Sequence, residues 1–182
     1  MMCRPKRHGN GNLAREGNAM LDSGGLRAIR VVARLLRPDV PRRVLRAEEA
    51  PACAGAYALV LDLAVPVECD LAGRSVRFAP GTYIYAGSAY GPGGIRARLR
   101  RHFRRVKKTH WHVDWLTSRA SALEALAVEA GSECAIIERL SASRAFSTVH
   151  EGFGSSDCSG CSTHLLRLLE PGEARAEGLT RR

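Results

Sequence analysis

The chain has 182 residues, enough for one domain with an adequate core and a tail. Twenty-eight Lys and Arg against eighteen Asp and Glu give a net charge of +10, which favours an anionic partner, nucleic acid first. No run approaches the roughly 18 apolar residues that span a bilayer, and the six cysteines sit in a chain too long for a disulfide scaffold, so the expectation is a soluble protein of the reduced cytoplasm.

Residues 1–49 read as a mostly disordered, basic N-terminal extension. The first 25 are rich in Gly, Asn and Arg without periodicity, and residues 26–37 offer a short amphipathic helix before Pro38 and Pro41 break it. The folded domain is expected over residues 50–170, followed by a frayed tail at 171–182. Residues 57–63, 74–78 and 82–86 have strand character and are bounded by Ala72-Gly73 and Pro80-Gly81, which suits an antiparallel meander. Ile95, Leu99, Phe103 and Val106 recur at helical spacing, predicting a helix over 95–106 with Arg98, His102 and Arg105 on the flank of the apolar face.

Thr109 can cap a second short helix carrying Trp111 and Trp115 four residues apart. Residues 123–129 fit either a helix, by their Ala, Leu and Glu, or a strand, by their length and the Gly131 boundary. Ser132 reads as the N-cap of a helix over 133–140, whose inward face holds Ile136, Ile137 and Leu140 with Glu133 among them. Glu138 projects to its side. A loop of small residues at 152–164 then leads into an apolar strand at 165–169.

Four features bear on chemistry. All four tyrosines lie between residues 57 and 90 in a chain poor in aromatics. Residues 96–108 hold Arg96, Arg98, Arg100, Arg101, Arg104, Arg105, Lys107 and Lys108 without one carboxylate, a charge pattern suited to phosphate contact. The loop Gly91-Pro92-Gly93-Gly94 precedes the basic helix, whose N-terminus is an anion site, but it lacks the Lys-Ser/Thr of a nucleotide-binding loop. Cys158, Cys161 and His164 have metal-ligand spacing yet supply three ligands where a structural zinc takes four; Cys134 or Asp157 would have to complete the set. Lining of a groove, or fixing of a sheet edge, is the simpler reading of that loop.

Gly55-Ala56-Tyr57, Tyr85-Ala86-Gly87-Ser88-Ala89, the Gly91-Pro92-Gly93-Gly94 loop, Lys107-Lys108-Thr109-His110-Trp111-His112 and Gly154-Ser155-Ser156-Asp157-Cys158 together resemble the GIY-YIG nuclease superfamily, in its branch of small domains sometimes fused to endonuclease-III-type repair enzymes. The resemblance covers residues 50–170. It implies an α+β fold: a small central antiparallel sheet of about three strands plus edge strands, flanked by helices. It also implies a DNA endonuclease that uses one Mg²⁺ or Mn²⁺, with a place in DNA repair and a repair enzyme as a partner. Tyr57 and Tyr85 would orient or deprotonate the attacking water, Arg98 would hold the scissile phosphate, and His102 would assist. Glu133, with Glu138 as the alternative, would hold the metal. Gly87, Ser88, Arg101, Arg105, Lys107, Lys108 and His110 would contact substrate.

Three departures stand beside the resemblance. Both tripeptides carry Ala in the middle, and 27 residues separate Tyr57 from Tyr85, which suggests an inserted hairpin near Cys69 to Phe78. Asn is absent after residue 18, so the family's later asparagine has no match. A nucleic-acid-binding module of the same fold without turnover is therefore the alternative to the enzyme.

Overall fold

The computed structural model describes residues 20–71, 73–155 and 158–173. In chain order the elements are α1 (Ser23–Leu35), β1 (Arg42–Val44), β2 (Gly55–Leu63), β3 (Val67–Leu71), β4 (Arg74–Phe78), β5 (Gly81–Ser88), α2 (Gly94–Phe103), α3 (His112–Arg119), β6 (Ala122–Glu129), α4 (Glu133–Ser141), β7 (Phe146–Thr148) and β8 (Leu165–Leu168). Six strands form one antiparallel sheet in the order β1-β6-β2-β5-β8-β7, and β3 pairs only with β4. The class is α+β, as expected, with a central antiparallel sheet that edge strands extend to six.

β2 and β5 lie at the centre, and period-two alternation divides their side chains between two layers. Tyr57, Leu59, Leu61 and Leu63 join Tyr83, Tyr85 and Leu165 in a core covered by residues of α2 and α3. Ala56, Ala58 and Val60 join Ile84, Ala86 and Leu166 in a second core, covered by Ile29 and Val32 of α1 and Ile136, Ile137 and Leu140 of α4. Cover on both faces explains why all nine residues of β2 are buried. It also explains β6. Residues 123–129 show no polar alternation because both sides are buried, and their strand identity comes from pairing with β1 and β2.

The expected disordered extension is a correction for its described part. Residues 20–49 hold α1 and the edge strand β1, and Leu21, Ile29, Val32, Leu36 and Val44 are buried. Asp22 caps α1 by accepting from the Gly25 amide at 2.9 Å, while its own amide donates to the buried Asp62 carboxylate at 3.0 Å. Asp62 also accepts from Thr82 Oγ1 at 2.8 Å, so one carboxylate ties helix to sheet. The expectation for residues 1–19 lies outside the described residues.

Three local expectations also change. Residues 74–78 leave the meander and form the β3–β4 hairpin, while β2 pairs directly with β5. The basic helix ends at Phe103 and not at 106, leaving Val106 91% exposed. Its end is fixed by Lys107, whose ammonium donates to the carbonyls of Arg101, His102 and Arg104 and to Thr117 Oγ1. Thr109 does not cap α3; the Asp114 carboxylate does, accepting from the amides of His110 and Trp111 at 2.9 and 3.0 Å. Ser132 stands at the expected N-cap of α4, though its side chain makes no capping bond.

Candidate active site

Tyr57 and Tyr85 come from the central pair of strands and share one face. Tyr57 pairs with Gly87 and Tyr85 with Leu59, so the two phenols are diagonal neighbours. Glycine at 87 makes room for this: a Cβ there would stand 2.3 Å from the Tyr57 hydroxyl oxygen. On the loop before β8, Gly154 closes against Tyr85. Its φ is +69°, and an added Cβ would lie 2.6 Å from the ring. Gly87 is thus the space that seats a tyrosine, not a substrate contact.

Arg98 projects from α2, and its guanidinium stacks 4.8 Å from the centre of the Trp111 ring. Among the described residues it makes no ion pair and no side-chain hydrogen bond, so its planar fork of donors is available. Glu133 is the first residue of α4. That helix packs on the opposite face of the sheet, yet its first turn reaches the tyrosines. Tyr57, Tyr85, Arg98 and Glu133 all line one pocket of about 420 Å³. Ser88, His110, Trp111, His112, Gly154, Cys158 and His164 complete its lining. Glu138 is exposed and is not among the lining residues.

Burial raises the Tyr57 phenol well above its ordinary range, with Tyr85 adding to the rise and Arg98 opposing it. Tyr85 is pushed up to about 12 by burial, then by Glu133 and Asp114. Both phenols therefore keep their protons at neutral pH and can donate hydrogen bonds. Neither is a ready-made base.

His102 sits behind the pocket instead of in it. It is 1% exposed, and its Nε2 lies 2.7 Å from the Tyr57 hydroxyl. Burial, with Lys107 next, drives its pKa down to about 3. The ring is neutral at physiological pH and cannot serve as a cationic phosphate ligand. Its Nδ1 is buried without a hydrogen-bond partner. We assign the proton to Nε2, because this tautomer leaves only a lone pair unpartnered at Nδ1. Nε2–H then donates to the Tyr57 oxygen, and the phenolic hydrogen is free to point into the pocket.

The basic residues divide into two groups. Arg101 pairs with the buried Asp114 carboxylate at 2.6 Å and stacks on Trp111. For Asp114 burial pushes the carboxyl up, but hydrogen bonds from the Trp111 amide, Arg101 and the His110 amide outweigh it and hold it below the usual range. Arg105 donates to the carbonyls of Ala120 and Ser121, and Lys107 is spent on the end of α2, its ammonium pushed down to about 8 by burial. Arg101, Arg105 and Lys107 thus build the scaffold, in place of the substrate contact expected for them. Arg100, Arg104 and Lys108 are exposed, and His110 is exposed at the pocket rim.

A family model described as "Domain of unknown function DUF123" matches residues 56–179. The chain belongs to this family. No curated protein and no solved structure matches it. The DUF123 span contains every residue that lines the pocket, whereas α1 and β1 lie before it.

The DUF123 pocket offers oxygen donors at Glu133, Tyr57, Tyr85 and Ser88. A hard divalent cation such as Mg²⁺ binds oxygen and keeps several waters, so one carboxylate with neutral hydroxyls nearby is a donor set it can use. The sequence reading did not place Trp111, His112 or His164 at the pocket. His164 had a signal, its spacing from Cys158 and Cys161. Trp111 and His112 had one too, their place in the motif from Lys107 to His112, while the spacing of Trp111 from Trp115 describes packing.

Proposed function

We propose that the pocket hydrolyses phosphodiester bonds of nucleic acid, DNA first, as a divalent-metal-dependent endonuclease. The observation that carries this reading is the shared pocket of Tyr57, Tyr85, Arg98 and Glu133, which lie up to 76 positions apart in the chain. The motif resemblance to GIY-YIG nucleases, the +10 charge and the exposed Arg100, Arg104 and Lys108 support it.

Arg98 holds the scissile phosphate through its planar donor fork, and its fixed charge offsets the charge that grows on the non-bridging oxygens. Stacking on Trp111 keeps that fork in place before substrate arrives. Tyr57 donates its phenolic hydrogen to the attacking water or to a phosphate oxygen, while His102 fixes the orientation of the hydroxyl from behind. Tyr85 donates similarly. Glu133 would hold Mg²⁺ or Mn²⁺ with waters filling the other positions; such an ion lowers the pKa of a bound water and shields phosphoryl charge. The raised phenol pKa values favour orientation of the water over its deprotonation by tyrosine.

A binding module without turnover is the second reading, favoured by the single carboxylate among the described pocket-lining residues. The two separate on supercoiled plasmid, branched DNA, single-stranded DNA and RNA, each with and without Mg²⁺ or Mn²⁺. Metal-dependent strand cleavage by the wild type supports the enzyme and its substrate class. Binding of every substrate with no cleavage in either metal supports the module.

A further inference from the structure

A second cluster of ligating side chains, two of which line the pocket, is made of sulfur and nitrogen where the first is oxygen. Cys134 is the second residue of α4. Cys158 and Cys161 belong to the irregular chain between β7 and β8, and His164 stands directly before β8. One ligand atom from each of the four falls within 4.8 Å of every other. Cys134 Sγ is 3.3 Å from Cys158 Sγ and 4.0 Å from His164 Nε2. Ligands about 2.0–2.3 Å from a tetrahedral zinc lie roughly 3.3–3.8 Å from one another, so only small movements close the set.

We infer that Cys134, Cys158, Cys161 and His164 bind one zinc ion in a closed tetrahedral site. Three thiolates and an imidazole are a soft donor set that selects zinc over Mg²⁺. As three Zn–S bonds and one Zn–N bond form, the three thiol protons leave to solvent, and the site ends with one net negative charge. His164 is prepared on its main chain: its amide donates to the Phe153 carbonyl at 2.9 Å and its carbonyl accepts from the Ala86 amide at 3.0 Å. A disulfide would use two of the three sulfurs and leave the third sulfur and the imidazole without purpose.

Four protein ligands leave no open position for water, so the ion is structural. It ties the first turn of α4, and with it Glu133, to the loop that presses Gly154 on Tyr85. The chain between β7 and β8 has 16 residues and no helix or strand of its own among the described residues. Such a segment needs a staple to hold one shape.

The inference is independent of the nuclease reading, because metal content is read without nucleic acid. Full-length protein purified under reducing conditions without chelator should contain about one zinc per chain by elemental analysis. Cys134→Ser and Cys161→Ser should lose it, while Cys53→Ser and Cys69→Ser keep it. Where a variant fails to fold, the wild type decides alone: stripped of metal and titrated with Co²⁺, it should show the thiolate charge-transfer and intense visible bands of a tetrahedral site, saturating at about one equivalent. Wild type that takes up neither zinc nor Co²⁺ with its thiols reduced would overturn the assignment. So would a Cys134–Cys158 disulfide in the purified protein, or zinc that persists in both Cys134→Ser and Cys161→Ser.

Discussion

At the scale of single residues, the pocket depends on a few side chains that do not substitute for one another. Glu133→Gln keeps the volume and removes the charge, and we expect cleavage to fall at least about a hundredfold with nucleic-acid binding within a fewfold of wild type. His102 acts through Tyr57, so its variants report on pH as well as on rate. Its folded pKa, about 3, lies below the 6.5 of the unfolded chain. The unfolded state therefore takes up a proton first on acidification. Stability from this group is complete above pH 6.5 and is lost as pH falls from 6.5 toward 3, by about 1.4 kcal/mol per unit. Asp114 adds its loss only below its unfolded value of 3.8. Thermal unfolding followed across that range should show the decline, and His102→Gln should flatten it. An unchanged slope would remove His102 as its source. That Tyr57, Tyr85, Arg98 and Glu133 stand together was legible in the sequence through the motifs and the helix face that carry them. The burial of His102 was not, since Arg98, His102 and Arg105 share one flank of the helical pattern and only tertiary packing separates them.

Elements place those residues, and here the sequence was less legible. The periodicity of α2 was plain, but its end was not, because the three carbonyls at its C-terminus are satisfied by Lys107 from beyond the helix. Its ammonium also approaches the fully buried Asp114 carboxylate at 3.9 Å. Lys107→Ala should therefore destabilise the fold by about 3 kcal/mol, through unsatisfied carbonyls and a weakened ion pair, measured by denaturant unfolding. A change below about 0.5 kcal/mol would show that solvent replaces the cap. Gly87→Ala is the matching test on β5. It should leave the sheet paired but displace the Tyr57 ring, so activity falls further than stability. The Ala, Leu and Glu of β6 favour helix locally; strand pairing on both sides overrides that preference.

For the whole molecule, the layered arrangement makes α1 part of the fold. Val32 is fully buried against the sheet, with Ala28, Ile29 and Leu36 at or near full burial beside it. Removing residues 1–36 should expose the apolar face of β2 and β5, giving a protein that binds a hydrophobic dye and melts at a markedly lower temperature. A truncated chain with the wild-type melting temperature would return this segment to the role of an appendage. The low-complexity sequence before residue 25 and the two prolines after the helix concealed its place in the core. Charge acts at the same scale. Arg100, Arg104 and Lys108 stay exposed, so binding should weaken steeply as salt rises, and Arg100→Glu with Arg104→Glu should shallow that dependence.

No helix among the described residues is long and apolar enough to cross a membrane. The central claim is that this pocket breaks a phosphodiester bond, and Arg98 tests it most directly. Single-turnover cleavage of the best DNA substrate, measured beside equilibrium binding for wild type and Arg98→Ala, separates chemistry from affinity. The account predicts cleavage slower by about 10²–10³ with binding reduced by less than about tenfold. Cleavage by Arg98→Ala at the wild-type rate would contradict it.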